Sequence, residues 1–281
     1  MKKLFSLFVI ILFFPFCKRN ENNLPRLIVP EVKNVVKVNS KEMLQSCSPL
    51  LALNFLKDTI ILQNLNGQFN GNMLKTFEGL QEKAINKRYD LKIIIDTTYL
   101  FSTQGIIYKN LLYAVNKNIL KDSVKNKFYR NKLPFDTIRS LIKKFVSAYP
   151  VLYYNNSNRK IPLGTSDLEM NIIQEAKDID GKWKPIEFRN PIGSCIPPLN
   201  LLLQPKHYSV SGIINYNGNF KTKIRVKYFD GKNTFYSNEI NGTINRSQFN
   251  QEYLLDFYRD THNGSYPRYF NDFKKRIFLS I

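Results

Sequence analysis

Residues 149–246 alternate between short β-prone segments and turn dipeptides, and this pattern constrains the fold more than any other feature of the chain. About eight segments rich in β-branched and aromatic residues follow one another over roughly 95 residues, which is typical of an antiparallel β-sandwich. No Cys…Trp…Cys spacing is present, so the immunoglobulin-like architecture that we predict rests on strand count. The predicted strands are 150–154, 160–163, 169–175, 182–188, 199–203, 207–216, 220–229 and 234–240.

Four turn dipeptides separate strands within this region: Asn155-Asn156, Asp180-Gly181, Asn217-Gly218 and Asp230-Gly231. Asp180-Gly181 and Asp230-Gly231 predict tight hairpin turns, because glycine adopts positive φ angles without steric cost. The segment KDIDGK has a superficial likeness to a calcium loop, but its lysines would repel a cation and the further acidic ligands of such a loop are missing. We therefore predict a hairpin turn without a metal, and we expect Trp183 to pack on a sheet face.

Residues 24–148 predict a mixed α/β region in which helices are prominent. A strand is expected within 91–99, whereas 106–120 fits either a helix or the return strand of a hairpin, and we favour the helix. The strongest pattern is the helix predicted for 136–148, with Asp136 as its N-cap. Apolar residues at helical spacing support a helix at 73–84 (Met73, Leu74, Phe77, Leu80, Ala84) and another at 136–148 (Ile138, Leu141, Ile142, Phe145, Val146).

The tail completes the predicted organisation of the chain. Residues 247–281 predict a helical extension, with one helix at 248–259 and a short second element at 269–278. Together with the preceding regions, this predicts an α+β protein: a mixed α/β N-terminal region, then an antiparallel immunoglobulin-like β-sandwich and a C-terminal helical extension.

The first seventeen residues predict an export signal. Lys2 and Lys3 precede a mostly apolar stretch that ends at Cys17, and this stretch is shorter than the roughly 20 residues that a membrane-spanning helix needs. The junction resembles a bacterial lipoprotein signal, which implies acylation of the Cys17 thiol and a polar tether at 18–23. The expected location is the membrane surface of the bacterial envelope, at the outer membrane or the periplasmic face. An ordinary cleaved signal that contains a cysteine is the alternative.

A second resemblance concerns the predicted sandwich. The runs YPVLYYNNS, IIQEAKDIDGKWKPIEF, GSC, FKTKIRVKYF and YSNEINGTINRSQF resemble a module of uncharacterised lipoproteins from Bacteroidetes-type envelopes. The resemblance covers about residues 149–250. It implies a structural module in an envelope protein and brings no catalytic residue with it.

Two further cysteines, Cys47 and Cys195, lie in different halves of the chain. In an oxidising compartment they could form a disulfide, but two buried free thiols explain them equally well. No CxxC pair is present, and we predict no structural zinc site and no cofactor.

The charge of the chain predicts an attraction to polyanions. Its formal net charge is +20, with 42 Lys and Arg against 22 Asp and Glu. An exported protein meets anionic lipid and polysaccharide rather than nucleic acid, although an AT-rich genome also favours lysine and a solvated cationic face is an alternative. The candidate polyanion-binding residues share one basic stretch with interleaved aromatic residues: Lys117, Lys121, Lys125, Lys127, Arg130, Lys132, Lys143 and Lys144.

No catalytic set is evident in the sequence. The chain has two histidines, His207 and His262, and no GxSxG nucleophile motif. We therefore predict a membrane-anchored envelope protein with a binding or scaffolding role and an unidentified protein partner. The rival hypothesis is an exported hydrolase of envelope polymer with acids in a cleft, such as Asp96, Glu169, Glu175 or Glu187, although no spacing singles out a pair among them.

Overall fold

The chain is described by a computed structural model over thirteen ranges of residues. These are 24–29, 35, 37–41, 43–46, 48, 50–56, 58–62, 89–103, 146–166, 169–189, 200–230, 232–251 and 270–279. The predicted helices at 73–84 and 106–120 lie outside these ranges.

Strands dominate the described part of the chain. The first six are β1 (Arg26–Ile28), β2 (Leu44–Gln45), β3 (Leu50–Phe55), β4 (Thr59–Ile61), β5 (Leu91–Ile95) and β6 (Phe101–Thr103). The next six are β7 (Val146–Asn155), β8 (Ile161–Ser166), β9 (Glu169–Met170), β10 (Ile172–Lys177), β11 (Trp183–Pro185) and β12 (Glu187–Phe188). The last five are β13 (Asn200–Leu203), β14 (Tyr208–Ile214), β15 (Phe220–Phe229), β16 (Thr234–Tyr236) and β17 (Ile240–Ile244). A 3₁₀ helix (Arg246–Phe249) and helix α1 (Phe270–Ile277) complete the described elements.

The prediction of an α+β fold is wrong, because the described residues form a predominantly β structure with little helix. The clearest disagreement is at the end of the helix predicted for 136–148. Val146 and Ala148 belong to strand β7, where they pair with Thr103 and Phe101 of β6. Both side chains are completely buried, so pairing with distant strands determines their conformation and overrides the local helical pattern.

The first five-stranded sheet has the order β3-β14-β7-β5, and β6 also pairs with β7. All of its pairs are antiparallel, and β7 has β14 along one edge and β5 followed by β6 along the other. Strands from both sides of residue 148 thus share one sheet, and the predicted border at 148/149 falls inside β7. Residues 149–246 therefore do not close an immunoglobulin-like sandwich by themselves, which corrects that part of the fold prediction.

The second five-stranded sheet has the order β11-β10-β15-β16, with β17 also paired to β15. Side chains alternate along β15, because successive residues of a strand point to opposite faces. Ile224, Val226 and Tyr228 are buried in the core, whereas Lys221 and Lys223 are exposed on the opposite face. The opposite face therefore carries exposed lysines at one end, whereas at its other end Ile173 and Lys227 are buried against the C-terminal segment.

The two large sheets share a hydrophobic core. One cluster of buried residues contains members of both sheets, and the rings of Tyr153 and Tyr228 meet edge to face at 5.9 Å. The sheets also meet at an edge, where Ile93 of β5 forms a parallel bridge with Ser237, just after β16. Residues of the N-terminal half therefore complete the core that the C-terminal half begins.

Three smaller sheets complete the described strands, and the C-terminal helix packs in a second, separate cluster of buried residues. The small sheets are β13-β8-β9, the parallel pair β1-β4 and the parallel pair β12-β2. The short element predicted at 269–278 is confirmed as helix α1, after which Phe278 and Leu279 pack with Ile173 and Phe188. The helix predicted from residue 248 is wrong at its start, because the backbone becomes extended at Asn250.

The strand and hairpin predictions for the second half are confirmed. Each of the eight predicted segments overlaps at least one strand of the structure. Asp178 organises the turn between β10 and β11, because its Oδ1 accepts hydrogen bonds from the N–H groups of Asp180 and Lys182. The β15–β16 hairpin forms as predicted, although its connection spans residues 230–233 and is longer than a two-residue turn.

Candidate functional site

The outward face of the second large sheet collects cations and aromatic rings. Residues that pair directly on neighbouring strands share a face of the sheet, and Trp183 pairs with Lys177 while Arg225 pairs with Glu175. Tyr236 pairs with Lys227, two residues beyond Arg225 on β15. We call this surface the cationic face and define it by Lys177, Trp183, Lys221, Lys223, Arg225 and Tyr236.

At the centre of the cationic face, the guanidinium of Arg225 is held between two aromatic rings. Its central carbon lies 4.2 Å from the centroid of the Trp183 ring and 3.8 Å from that of Tyr236. Nε and Nη2 both donate to Oε2 of Glu175, at 2.9 and 2.7 Å. Stacking and two charge-assisted hydrogen bonds therefore fix the orientation of this side chain.

Part of the Arg225 guanidinium has no acceptor among the described residues. Glu175 takes the N–H of Nε and one N–H of Nη2, whereas Nη1 makes no hydrogen bond with that part of the chain. A guanidinium has five N–H donors, so the edge formed by Nη1 and Nη2 keeps donors for a further acceptor. The side chain as a whole is 19% exposed.

Beside Arg225, Lys221 and Lys223 supply exposed charge. Lys221 pairs with Thr243 and Lys223 with Asn241, so two neutral polar residues lie next to the two ammonium groups. These residues line an open depression of about 450 Å³, together with Thr222 and Gly242. Among the described residues, no carboxylate forms an ion pair with either lysine.

Two carboxylates partly neutralise the positive charge at the end of the cationic face that contains Lys177. Nζ of Lys177 lies 3.2 Å from each carboxylate oxygen of Glu239 and 5.0 Å from the centroid of the Trp183 ring. Glu175 is 8% exposed and lies between Arg225 and Lys227. The cationic face is therefore a row of positive groups interrupted by two acids, and it is less positive than the lysine count alone would indicate.

The acids of the rival hydrolase hypothesis serve different parts of the fold. Asp96 accepts hydrogen bonds from the N–H and Oγ1 of Thr98, and Glu175 is bound by Arg225 on the outward face. Glu187 contacts Gln174 and Tyr216 inside the core, where burial raises its pKa above the ordinary carboxyl value. The side chain of Glu169 lies outside the described part. The three described acids therefore offer no pair across a common cleft.

The described residues also lack a group of three or more His, Cys, Asp and Glu side chains that could hold a metal ion. His207 is half-buried, and its Nδ1 lies 2.7 Å from the carbonyl oxygen of Pro205. This contact orients the ring within its own loop. In the same part of the chain, no helix has the length and apolar character to span a membrane.

The binding and anchoring residues predicted from the sequence lie outside the described ranges. They are the lipid-attachment residue Cys17, the two cysteines Cys47 and Cys195, and the basic stretch Lys117, Lys121, Lys125, Lys127, Arg130, Lys132, Lys143 and Lys144. Each of these assignments stays a prediction.

The cationic face was missed, although part of its signal is visible in the sequence. In the predicted strand FKTKIRVKYF, every second residue from Lys221 to Lys227 is basic, and this period places four cations on one face. The prediction that Trp183 packs on a sheet face is confirmed, and its partner there is Arg225. The contribution of Tyr236 depends on the pairing of β15 with β16.

Comparison of the chain with models of protein families, with curated proteins and with solved structures gives no match in any of the three.

Proposed function

We propose that this chain is a non-enzymatic, membrane-anchored protein of the bacterial envelope that binds an anionic polymer through its cationic face. The observation that carries the proposal is the pair Lys221 and Lys223, exposed side by side with Arg225 on one face of β15. Their ammonium groups face solvent without a carboxylate partner among the described residues. An anionic ligand is the chemistry that such a surface attracts.

The spacing of the cations supports a polymer rather than a single small anion. Residues at every second position of a strand are about 6.7 Å apart, so the basic row of β15 runs in steps of that length. A flexible chain with repeated negative charges can contact several steps at once. Because such contacts are exposed, we expect binding to weaken as salt increases.

The proposed location at the membrane rests on the sequence of the N-terminal residues. Cys17 would bear the acyl chains, and the polar residues 18–23 would separate the membrane from the first described strand, which begins at Arg26. Acyl chains contribute about 0.8 kcal/mol per buried CH₂ group, so several of them hold a protein at a membrane. Fatty-acid labelling tests this anchor: we expect labelling of the wild type and none of Cys17→Ala, and equal labelling would end the proposal of an anchor at Cys17.

A charge-reversal experiment tests the binding site. We expect the wild type to bind dextran sulfate at low salt, and the double variant Lys221→Glu/Lys223→Glu to bind it at least about tenfold more weakly. The matched control is Lys92→Glu/Lys37→Glu, which changes the net charge equally at two exposed lysines outside the face. Equal losses in both double variants would show attraction by net charge alone, and absence of binding at low salt would refute the proposed function.

A further inference from the structure

We infer that the ligand of the cationic face is an acidic polysaccharide, a chain of sugar rings that bear carboxylates, and that Arg225 recognises its carboxylates. This inference rests on the proposed function and narrows it to one class of polymer. It follows from three properties of the face: the fixed guanidinium, the aromatic rings on both sides of it, and the mixture of charged and neutral polar groups.

The guanidinium of Arg225 is prepared for a planar acceptor. Trp183 and Tyr236 hold its plane, and Glu175 occupies the edge formed by Nε and Nη2. The edge formed by Nη1 and Nη2 makes no hydrogen bond to Glu175. Two parallel N–H groups on such an edge match the two oxygens of a carboxylate. Because the side chain is already ordered, little conformational entropy is lost when the ligand binds.

The aromatic rings suit a ligand that has apolar faces of its own. Tyr236 is 46% exposed and Trp183 is half-buried, so neither residue is fully covered by its neighbours. A sugar ring presents C–H groups on its faces, and these bury apolar area when they pack on an aromatic ring. A carboxylated sugar can therefore place its acid on Arg225 and its ring on Tyr236 or Trp183.

The neutral and acidic neighbours argue against a densely charged ligand. Asn241 and Thr243 lie beside Lys223 and Lys221, where they can exchange hydrogen bonds with sugar hydroxyls. Glu175 and Glu239 lie among the cations and would repel closely spaced phosphates. An acidic polysaccharide, with its charges separated by neutral hydroxyl groups, fits this arrangement better than a nucleic acid or a continuous anionic lipid surface.

Intrinsic fluorescence can report binding at this site directly, because Trp183 is the sole tryptophan of the chain. The full chain would be titrated with polygalacturonate, alginate and hyaluronate, three carboxylated polysaccharides of different linkage. Methyl-esterified polygalacturonate provides the same backbone without the charge. Single-stranded DNA, polyphosphate and phosphatidylglycerol vesicles provide phosphate-bearing competitors. We expect at least one carboxylated polysaccharide to change the Trp183 emission and to bind about tenfold more tightly than the ester and the phosphate-bearing ligands.

Two variants separate recognition from charge. Arg225→Lys keeps the positive charge but loses the planar donor edge, so we expect it to bind the carboxylated polysaccharide about tenfold more weakly than wild type. Arg246→Lys is the matched control, since Arg246 lies over the Phe220 ring outside the cationic face and should leave that affinity unchanged. Tyr236→Leu leaves the Arg225–Glu175 pair in place. We expect this variant to bind the polysaccharide more weakly and to bind the phosphate-bearing ligands as the wild type does. Thermal unfolding of each variant establishes that it is folded.

The outcomes distinguish this inference from the proposed function. Equal affinity for phosphate-bearing and carboxylated polymers, with loss of both in the Lys221/Lys223 variant, would overturn the polysaccharide inference and leave the anionic-polymer function in place. Binding to vesicles alone would overturn both the polysaccharide inference and the anionic-polymer function, in favour of a lipid surface. An unchanged affinity for the carboxylated polysaccharide in a folded Arg225→Lys variant would remove the assigned role of Arg225. Failure to bind any of these polyanions would refute both proposals.

Discussion

The side chain of Asn238 hydrogen bonds to both backbone groups of Ile95: Oδ1 accepts from the N–H at 2.7 Å, and Nδ2 donates to the carbonyl at 3.1 Å. An amide side chain thus takes the place of a neighbouring strand at the edge of β5. Together with the bridge between Ile93 and Ser237, it joins the two five-stranded sheets, one of which contains the cationic face.

We predict that Asn238→Asp destabilises the protein by about 1 kcal/mol, the usual net value of a hydrogen bond. The substitution removes the donor to the Ile95 carbonyl and places a carboxylate oxygen next to that acceptor. Urea denaturation measures the change in the free energy of unfolding. Asn217→Asp is the control, because Asn217 is exposed and its substitution introduces the same negative charge elsewhere on the chain. Equal stability of the two variants would contradict a role for the Asn238–Ile95 contact.

The hydroxyls of Tyr153 and Ser211 lie 3.0 Å apart between β7 and β14, in the interior of the first large sheet. Both residues are fully buried, and burial raises the pKa of Tyr153 above its ordinary value. We predict a coupling free energy of about 1 kcal/mol in a double-mutant cycle of Tyr153→Phe and Ser211→Ala.

A matched control for this cycle lies on the same strand. Tyr149 is half-buried on β7, and its hydroxyl makes no hydrogen bond with the described residues. Tyr149→Phe combined with Ser211→Ala should therefore give additive losses. Additivity in the Tyr153 cycle as well would mean that its buried hydrogen bond adds nothing to stability.

The same strand explains why the sequence predicted the second half of the fold better than the first. Most strands of 149–246 were found because alternation and turn residues are local signals, and the predicted hairpin of β15 with β16 forms; β17, which runs from Ile240 to Ile244, lies almost wholly beyond the predicted segments. The beginning of β7 was mistaken for the end of a helix. Its strand conformation depends on β6, more than forty positions earlier in the chain, and a local window of sequence does not contain that information.

The candidate site was predictable to a similar extent. The alternating cations of β15 are visible in the sequence, and they place Lys221, Lys223 and Arg225 on one face. The rings of Trp183 and Tyr236 meet Arg225 through two different strand registers, β10 with β11 and β15 with β16. The row of charge is therefore a local property of the sequence, whereas the aromatic enclosure of Arg225 is a product of sheet topology.

Gly181 has a φ angle of +75° in the turn between β10 and β11, two residues before Trp183. No atom lies within 4 Å of the position that a Cβ would take there, so a substitution meets backbone strain and no clash. We predict that Gly181→Ala destabilises the protein by about 1 kcal/mol. Gly181→Asn should cost less, because asparagine tolerates the left-handed region. Thermal unfolding compares the two variants, and a larger loss for asparagine would contradict this explanation.

Glu187 is a carboxylate in the core without a cation beside it among the described residues. It is 2% exposed, and Oε1 accepts hydrogen bonds from Gln174 Nε2 and Tyr216 Oη, both at 2.8 Å. The backbone N–H of Gln174 donates to Oε2 at 3.0 Å. Burial raises the pKa of Glu187, while these hydrogen bonds oppose the shift and leave a net increase.

The raised pKa fixes the sign of a pH dependence. The folded state binds the Glu187 proton more tightly than the unfolded state, so its contribution to stability is fully present below the ordinary carboxyl pKa. That contribution is lost as pH rises through the raised pKa of the folded state. Glu187→Gln carries no titrating group, and we predict that its unfolding free energy improves relative to wild type as pH increases.

Urea denaturation of wild type and Glu187→Gln at a series of pH values measures this difference. A constant offset between the two proteins is expected, because the new amide must fit among the donors of Gln174 and Tyr216; the test is the change of that offset with pH. Glu239→Gln, at the exposed partner of Lys177, controls for the removal of a carboxylate from the chain. Parallel stability curves for wild type and Glu187→Gln would show that burial of Glu187 does not favour its protonated form.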